Sequence, residues 1–562
     1  MSKLIDNSIT IYEAIQSIKN RKYVMPAFQR QFVWSMGQIE KLWDSILLDY
    51  PIATFLFWHL DDSNVTWDTY FCDFLYTVRF DSRKSADSAN YELIRIDLND
   101  TDTAILDGQQ RLTSLFLSLF GEAQIRPKNA RKKTGEVTLT KLLIELDKHK
   151  VSTNEEEYNS KKFDIKFSDK IGITSPTQFE IKNIIEEQYL NKKTRENAIE
   201  EAIVNVPADS KDYARNILMK LCEKIFDEKL IRYTEITDMN QDDALEMFVR
   251  FNSGGKALSK SEITMSILEA YWPSARVEFG KILTGSYKNF DTDFIIRAAL
   301  MLYGDVAKSN INKKIADDLK NDWSNFKIAL ANLDKLFEEM KIETSHFSRN
   351  WNVPLPILYY IYNNSDYRNN ITAIRAYLLR AEFFIYFRSG TTGKLQEMKK
   401  HINNFNYEIT LEMLEQIDAL RVTDAKIEDI LNSVKETRVA KEVLYYLSVE
   451  WTNKDFKYEH DHIHPFTSPK TTLISEQTWK KWLENRNRLS NLHLLEGREN
   501  ASKNDMPLIS YFNNMNNEQK AEFYEKAMLP TDISFEFKDF DDFYEARKKV
   551  LAEKIRYLLG YN

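Results

Sequence analysis

Apolar positions recur with two different periods along this chain, and the change of period divides it. Up to about residue 120, short β-branched and aromatic runs ("ATFLFWHL", "NYELIRIDL", "TAILD") alternate with helically spaced stretches such as "SMGQIEKLWDSILLDY" and "QQRLTSLFLSLF". That mixture predicts a small α/β unit. From about 125 to 215 the chain turns polar and rich in Lys and Glu, with strand-like pieces such as "EVTLTKLLIEL", and reads as an elaboration on the first domain. "KLIRYTEI" then predicts a strand, and "QDDALEMFVRF" a helix with Ala244, Leu245, Met247, Phe248 and Phe251 on one side, so the first domain resumes. Long aromatic helices such as "ITAIRAYLLRAEFFIYF" dominate from about 262 to 445, and the tail from 446 is rich in Asn, His and Trp. The expected fold class is a mixed, α-rich multidomain protein. Its domains are placed at 1–265, with the polar insertion near 125–215, at 266–445 and at 446–562.

Composition agrees with dense packing. With 43% hydrophobic residues and only 14 Gly and 12 Pro in 562, helix-rich domains are favoured over disorder. A net charge of −8 weighs against non-specific coating of nucleic acid, which needs a basic footprint, but leaves room for a local site. The densest basic cluster, "RPKNARKK" at 126–133, reads either as a solvated loop or as a phosphate-tracking arm. Cys72 and Cys222 support neither a disulfide framework nor a cysteine-based zinc site, and a reducing cytoplasm is the expected location. No apolar leader or uncharged run of 18 apolar residues occurs, so no membrane span is expected.

The stretch "YEHDHIHPF" at 458–466 puts three of the chain's 8 histidines in five positions. Beyond Asp461-His462-Ile463-His464-Pro465 come Asn491 in "NRLSNLHLL" and Asn500 in "GRENASKND". Hydrolysis of a phosphodiester needs a base for water and a cation for the charge that develops on phosphate and leaving group. A neutral His supplies the first near pH 7, and carboxylate and amide oxygens suit Mg²⁺ or Mn²⁺. Asp461 and His462 are adjacent, so on a strand they would face opposite ways, and a strand end must bring both to one substrate. A zinc site of His460, His462, His464 and His493 is the rival, and it leaves both asparagines unused. Residues 455–510 resemble the HNH nucleases with their ββα-metal motif. The resemblance implies that Asp461 and Asn500 hold the metal, that His462 is the general base and that Asn491 braces it. The role of His464 stays open, and His460 lies outside the motif.

"ILDGQQRLTSLFLSLF" at 105–120 predicts a strand, a sharp Asp-Gly turn and a helix with Leu112, Leu115, Phe116 and Leu119 inward. The helix start, with its N–H groups near Gln109 and Gln110, is then available to an anion. Arg111 in that first turn needs a negative partner, either a nucleotide phosphate or Asp107 at the i, i+4 spacing. "FNSGGKALSKSEI" has a Gly254-Gly255 break before a Ser259/Glu262 capping-box pattern, and no Walker-type run is present. Together with "MPAFQRQFVW" at 25–34, these segments resemble the N-terminal domain of GmrSD-type modification-dependent (type IV) restriction enzymes, over about 10–120 and 235–270. That resemblance implies a ParB/sulfiredoxin-like fold. It also implies a site for an NTP (GTP or ATP) formed by Asp107, Gly108, Gln109, Gln110 and Arg111, with Gln29, Arg30, Asn252, Gly254 and Gly255 as further members. The combined expectation is a cytoplasmic anti-phage endonuclease that recognises modified DNA, binds or hydrolyses NTP and cuts or nicks, as a homodimer where both strands are cut. Glucosylated hydroxymethylcytosine and phosphorothioate are the modifications the family suggests. The alternative is a nucleotide-regulated DNA-binding protein whose HNH-like module does not cleave.

Overall fold

The structure, a computed structural model, describes residues 3–29, 31–61, 71–81, 93–94, 103–126, 137–151, 161–168, 175–253, 260–306, 311–342, 344–347, 350–364, 366–452, 457–466 and 474–561. It is α-rich with several small sheets, and it divides into two compact units, Met1–Arg276 and Val277–Asn562.

The first unit is organised by a seven-stranded mixed sheet in the order Lys3–Ile9, Ile231–Thr237, Phe55–His59, Thr103–Asp107, Tyr23–Pro26, Phe71–Cys72, Leu93–Ile94. Strand Thr103–Asp107 lies near its centre, parallel to Tyr23–Pro26 and antiparallel to Phe55–His59, with an irregularity between Leu56 and Phe57. The strand–turn–helix expected at 105–120 is formed: Gly108 takes φ +96° and helix Gln109–Leu119 follows, with Leu112, Leu115, Phe116 and Leu119 buried. The region read as a polar elaboration contributes Ile144, Ile181, Ile184, Ile199 and Ile203 to the same core as Ile11, Trp43 and Leu115. Its Lys and Glu residues decorate the outer faces of helices such as Lys192–Ala202, which conceals the apolar positions in any compositional window. The expected strand and helix at 230–251 are present as Ile231–Thr237 and Gln241–Ser253, with Ala244, Leu245 and Phe248 buried. Of "NYELIRIDL" only Leu93 and Ile94 are described, and residues 127–133 of the basic cluster lie outside the described residues.

In the second unit, helices rich in aromatic residues, among them Thr292–Tyr303, Trp323–Glu339, Leu355–Asn363 and Ile371–Phe383, lead to the pair Asp424–Leu431 and Arg438–Ser448. The compositional break near 446 falls inside this unit. There the loop between that helix pair joins the C-terminal segment through Leu489 N–H to Ser433 O (3.0 Å) and a bridge between Val434 and Arg488. The last helix, Phe540–Leu558, carries Arg547, fully buried, whose guanidinium donates to the carbonyls of Ala527, Leu489, Ser490 and Leu492 at 2.8–3.2 Å. Five donors in a fixed fork let one side chain satisfy main-chain acceptors from two segments. Among the described residues no helix is long and apolar enough to cross a membrane.

Candidate active site

Strands Tyr458–His462 and Leu492–Glu496 pair antiparallel, with Asp461 opposite His493 and His462 opposite Leu492, and helix Gly497–Lys503 follows at once. Side chains alternate along a strand, so Glu459 and Asp461 share one face while His460 and His462 share the other. The helix covers the first face. Asn500 donates from Nδ2 to Glu459 Oε2 (2.8 Å), and one turn later Lys503, fully buried, places Nζ 2.5 Å from Asp461 Oδ2 and from the carbonyl oxygen of His462. His493 adds its Nε2 at 3.4 Å from the same Asp461 oxygen. Burial would raise the Asp461 carboxyl, but the His493 hydrogen bond and the Lys503 charge outweigh it and hold it well below the usual carboxylate range. Lys503 itself is drawn down by burial against the pull of Asp461. Of the two shifts, the Asp461 one describes the pair: its side chain keeps 17% of its surface in solvent, whereas that of Lys503 keeps none.

His462 ends its strand and is half-buried, with Nε2 2.8 Å from Asn487 Oδ1. An amide oxygen only accepts, so Nε2 carries the hydrogen and the lone pair lies on Nδ1. Burial lowers its pKa, the Asn487 hydrogen bond opposes this, and the nearby charges of Lys435 and Arg486 add to the lowering, so the ring is neutral at pH 7. Asn491 is fully buried and clamps the chain just past that ring: Oδ1 accepts from His464 N–H (3.0 Å), and Nδ2 donates to the carbonyls of His464 (3.1 Å) and Arg486 (3.0 Å).

His464, whose role the sequence leaves open, is a core residue. Its ring meets Phe543 edge-on at 4.5 Å with Phe537 and Phe540 around it, and burial, reinforced by the Lys503 and Arg547 charges, brings it down to about 3. The four-histidine zinc site is thereby excluded: His464 packs on phenylalanines, His493 is engaged by Asp461, and His462 faces the opposite side. No group of three or more His, Cys, Asp or Glu side chains converges as a metal site among the described residues. A cation held by one carboxylate and one amide is a different donor set. Because Nδ2 of Asn500 is committed to Glu459, its Oδ1 is left to accept, and it lies on the face that carries the Asp461 carboxylate. These are hard oxygen donors of the kind that suits Mg²⁺ or Mn²⁺, which would share the Asp461 carboxylate with Lys503; His493, which also meets Asp461, lines a cavity of about 410 Å³ with Glu496 and Glu499.

In the first unit, the motif around residue 108 is held by its own chain. The buried Gln29 donates from Nε2 to the carbonyls of Ile105 (3.0 Å) and Leu106 (2.7 Å). Gln110, also buried, accepts from Val33 N–H (3.0 Å) and donates to the Gln31 carbonyl (3.1 Å), while Gln109 is buried beside it. Arg111 pairs with Asp107 at 3.2 Å, donates to the carbonyls of Ile52 and Thr54, and lies over the Phe55 ring at 4.4 Å. Of the two partners the sequence allowed for Arg111, the structure places Asp107 there. Asp107 keeps half its side-chain surface in solvent. Arg30, Gly254 and Gly255 lie outside the described residues; Asn252 sits in helix Gln241–Ser253, its side chain undescribed.

Residues 11–269 match the family described as "GmrSD restriction endonuclease, N-terminal domain". This match supports a GmrSD-type family for the chain. The GmrSD-type match therefore covers nearly all of the first unit, including the stretch at 121–234 that the sequence resemblance bridged only by continuity. An uncharacterized protein of Methanocaldococcus jannaschii is 29% identical over 118 residues, which is 21% of this chain and 18% of that relative, so the chain spans less than a fifth of its length.

Four residues in or beside the C-terminal site were not read from the sequence. Lys503 follows Asn500 by three positions and so lies on the same helix face, a signal that was available. Glu459 precedes Asp461 by two and shares its strand face, which was also legible. Asn487 and Lys435 are brought in by loops and leave no periodic trace.

Proposed function

We propose that this protein is an endonuclease of restriction type that acts on DNA, with its hydrolytic site on the hairpin Tyr458–His462/Leu492–Glu496 and helix Gly497–Lys503. The observation that carries the proposal is the division of labour between the hairpin's faces. One holds the oxygen donors Asp461 and Asn500, the other a neutral, half-buried histidine at the strand end, and Asn491 locks the chain between them. This supports the HNH reading of the motif.

In that reading His462 takes the proton of the attacking water at Nδ1, since Nε2 is spent on Asn487. Asp461 and Asn500 would hold a divalent cation, which when bound supplies charge stabilisation to the phosphate and leaving oxygen. Lys503 and His493 keep Asp461 ionised and oriented, and Glu459 fixes which end of the Asn500 amide faces outward. In the first unit, nucleotide binding is proposed at the strand end around Asp107, the solvent-open member of a motif whose glutamines and arginine brace the surrounding loops. Defence against phage, supported by the GmrSD-type match, modified DNA as substrate and a cytoplasmic location are parts of the same proposal. With one hydrolytic site per chain, nicking by a monomer or double-strand cutting by a homodimer are the two modes.

One observation favours a second reading. Lys503 already neutralises Asp461, an arrangement that also serves a non-cleaving DNA-binding module under nucleotide control. Digestion of unmodified, glucosylated and phosphorothioate DNA with Mg²⁺ or Mn²⁺, with and without NTP, separates the two. His462→Ala and Asn500→Ala should abolish cutting while DNA binding persists. Wild-type protein that binds all three substrates and cuts none of them supports the second reading.

A further inference from the structure

The open face of the hairpin, which carries His462, is completed by residues from outside the motif. The loop joining helices Asp424–Leu431 and Arg438–Ser448 runs alongside residues 487–489. It is fastened there by Lys435 N–H to Asn487 O (2.6 Å), Leu489 N–H to Ser433 O (3.0 Å) and Arg488 Nη1 to Asn432 Oδ1 (2.9 Å). Asn487 thus holds Lys435 through its backbone and His462 through its side chain. Lys435 is half-buried, and among the described residues its ammonium has no ion pair or hydrogen bond. The adjacent carboxylate, Glu436, is turned to Lys441 at 2.6 Å. The Lys435 charge acts on His460, His462 and Glu459. Arg486 stands near the same histidine, its guanidinium 5.8 Å from the Phe466 ring and its Nε buried without a partner among the described residues.

We propose that Lys435, assisted by Arg486, is a phosphate-binding residue of the nuclease site, gripping a backbone phosphate of the DNA strand that His462 faces. The proposal rests on the nuclease reading for its catalytic meaning and on geometry for its placement. A polyanion that approaches a hairpin bearing Asp461 and Glu459, on a protein of net charge −8, needs a local cation to offset repulsion. An ammonium tied to no carboxylate gains more from a phosphate than a paired one does. The helical segment thereby becomes part of the active site, since only the packed loop delivers Lys435.

The test uses the full chain and a fluorescein-labelled duplex of about 30 base pairs, in EDTA, with anisotropy read between about 50 and 200 mM salt. Lys435→Ala should weaken binding about fivefold or more and flatten the plot of log Kd against log salt by about 0.9, the loss of one phosphate contact. Lys435→Arg should keep the slope, and Lys441→Ala, which alters a paired neighbour, should change neither quantity. An unchanged slope in Lys435→Ala, equal effects from Lys435→Ala and Lys441→Ala, or no binding by wild type at the lowest salt would each overturn the proposal. Cleavage of the three-substrate panel separates this from the underlying reading. His462→Ala should abolish cutting with the salt slope intact, and Lys435→Ala should lower kcat/KM about tenfold or more. A protein that never cuts but loses its slope in Lys435→Ala defeats the nuclease reading and keeps Lys435 as a DNA contact.

Discussion

Replacing Lys503 by Met keeps the aliphatic stem and removes one charge from the buried side of the site. Asp461 then loses the ammonium at 2.5 Å and keeps only His493 at 3.4 Å, and the His462 carbonyl loses its donor. Stranding one member of a buried ion pair costs about 3–5 kcal/mol. Asp461 retains 17% of its side-chain surface, so water and partial protonation recover some of this, leaving about 2–3 kcal/mol. For a unit of this size that corresponds to a fall of about 3–5 °C in Tm. The pH dependence has a definite sign. A carboxyl whose folded pKa is depressed stabilises above its unfolded value near 4 and loses that contribution as pH falls through the folded one. The gap between wild type and Lys503→Met should therefore be full at pH 7 and shrink below about pH 4. Asp461→Asn combined with Lys503→Met leaves two neutral groups and should melt above Lys503→Met alone. Calorimetry or circular dichroism melting of the four proteins closes the cycle. A Lys503→Met protein that melts within about 1 °C of wild type at pH 7 would refute the ion-pair account.

Three further outcomes are expected. Gly108→Ala should destabilise the first unit by several kcal/mol or prevent its folding, because φ is +96° and the new Cβ would sit 2.1 Å from the Phe55 ring; urea unfolding of this variant measures it. His464, near 3 when folded and about 6.5 when unfolded, binds fewer protons in the fold, so stability should fall as pH drops from about 6.5 towards 3, by about 2–3 kcal/mol at pH 4.5, and His464→Phe should remove that component of a pH series of denaturation curves. Asn487→Ala releases the His462 tautomer and should lower kcat with little change in KM, whereas Asn487→Asp, still an acceptor, should retain more activity in steady-state cleavage.

How much was legible depended on whether a feature was local. Strand, turn and helix at 103–119 followed from the Asp-Gly step and helical spacing, and Asp461, His462, Asn491 and Asn500, grouped by their order in the sequence, lie on or beside one hairpin and its helix. What stayed hidden was tertiary. Arg111 at a helix start left a phosphate and Asp107 as alternatives because its further acceptors, the Ile52 and Thr54 carbonyls, carry no sequence signature. His464 stayed unassigned because the phenylalanines that bury it come from the far end of the chain. Polar composition at 125–215 masked a run of core isoleucines and leucines, since a window average cannot see one apolar stripe on a charged helix.

The buried fork of Arg547 bears on when the candidate site is assembled. The carbonyls of Leu489, Ser490 and Leu492 each take a donor from the last helix, and His464 its wall from Phe540 and Phe543 of the same helix. Chains are made from the N-terminus at about 5–20 residues per second. A ribosome-bound chain that already displays Asp461, His462, Asn491 and Asn500 therefore lacks the parts that hold them in place until Arg547 has emerged. Assembly of the candidate site is thus tied to the emergence of helix Phe540–Leu558, and fragments that end before it would carry the motif without its support.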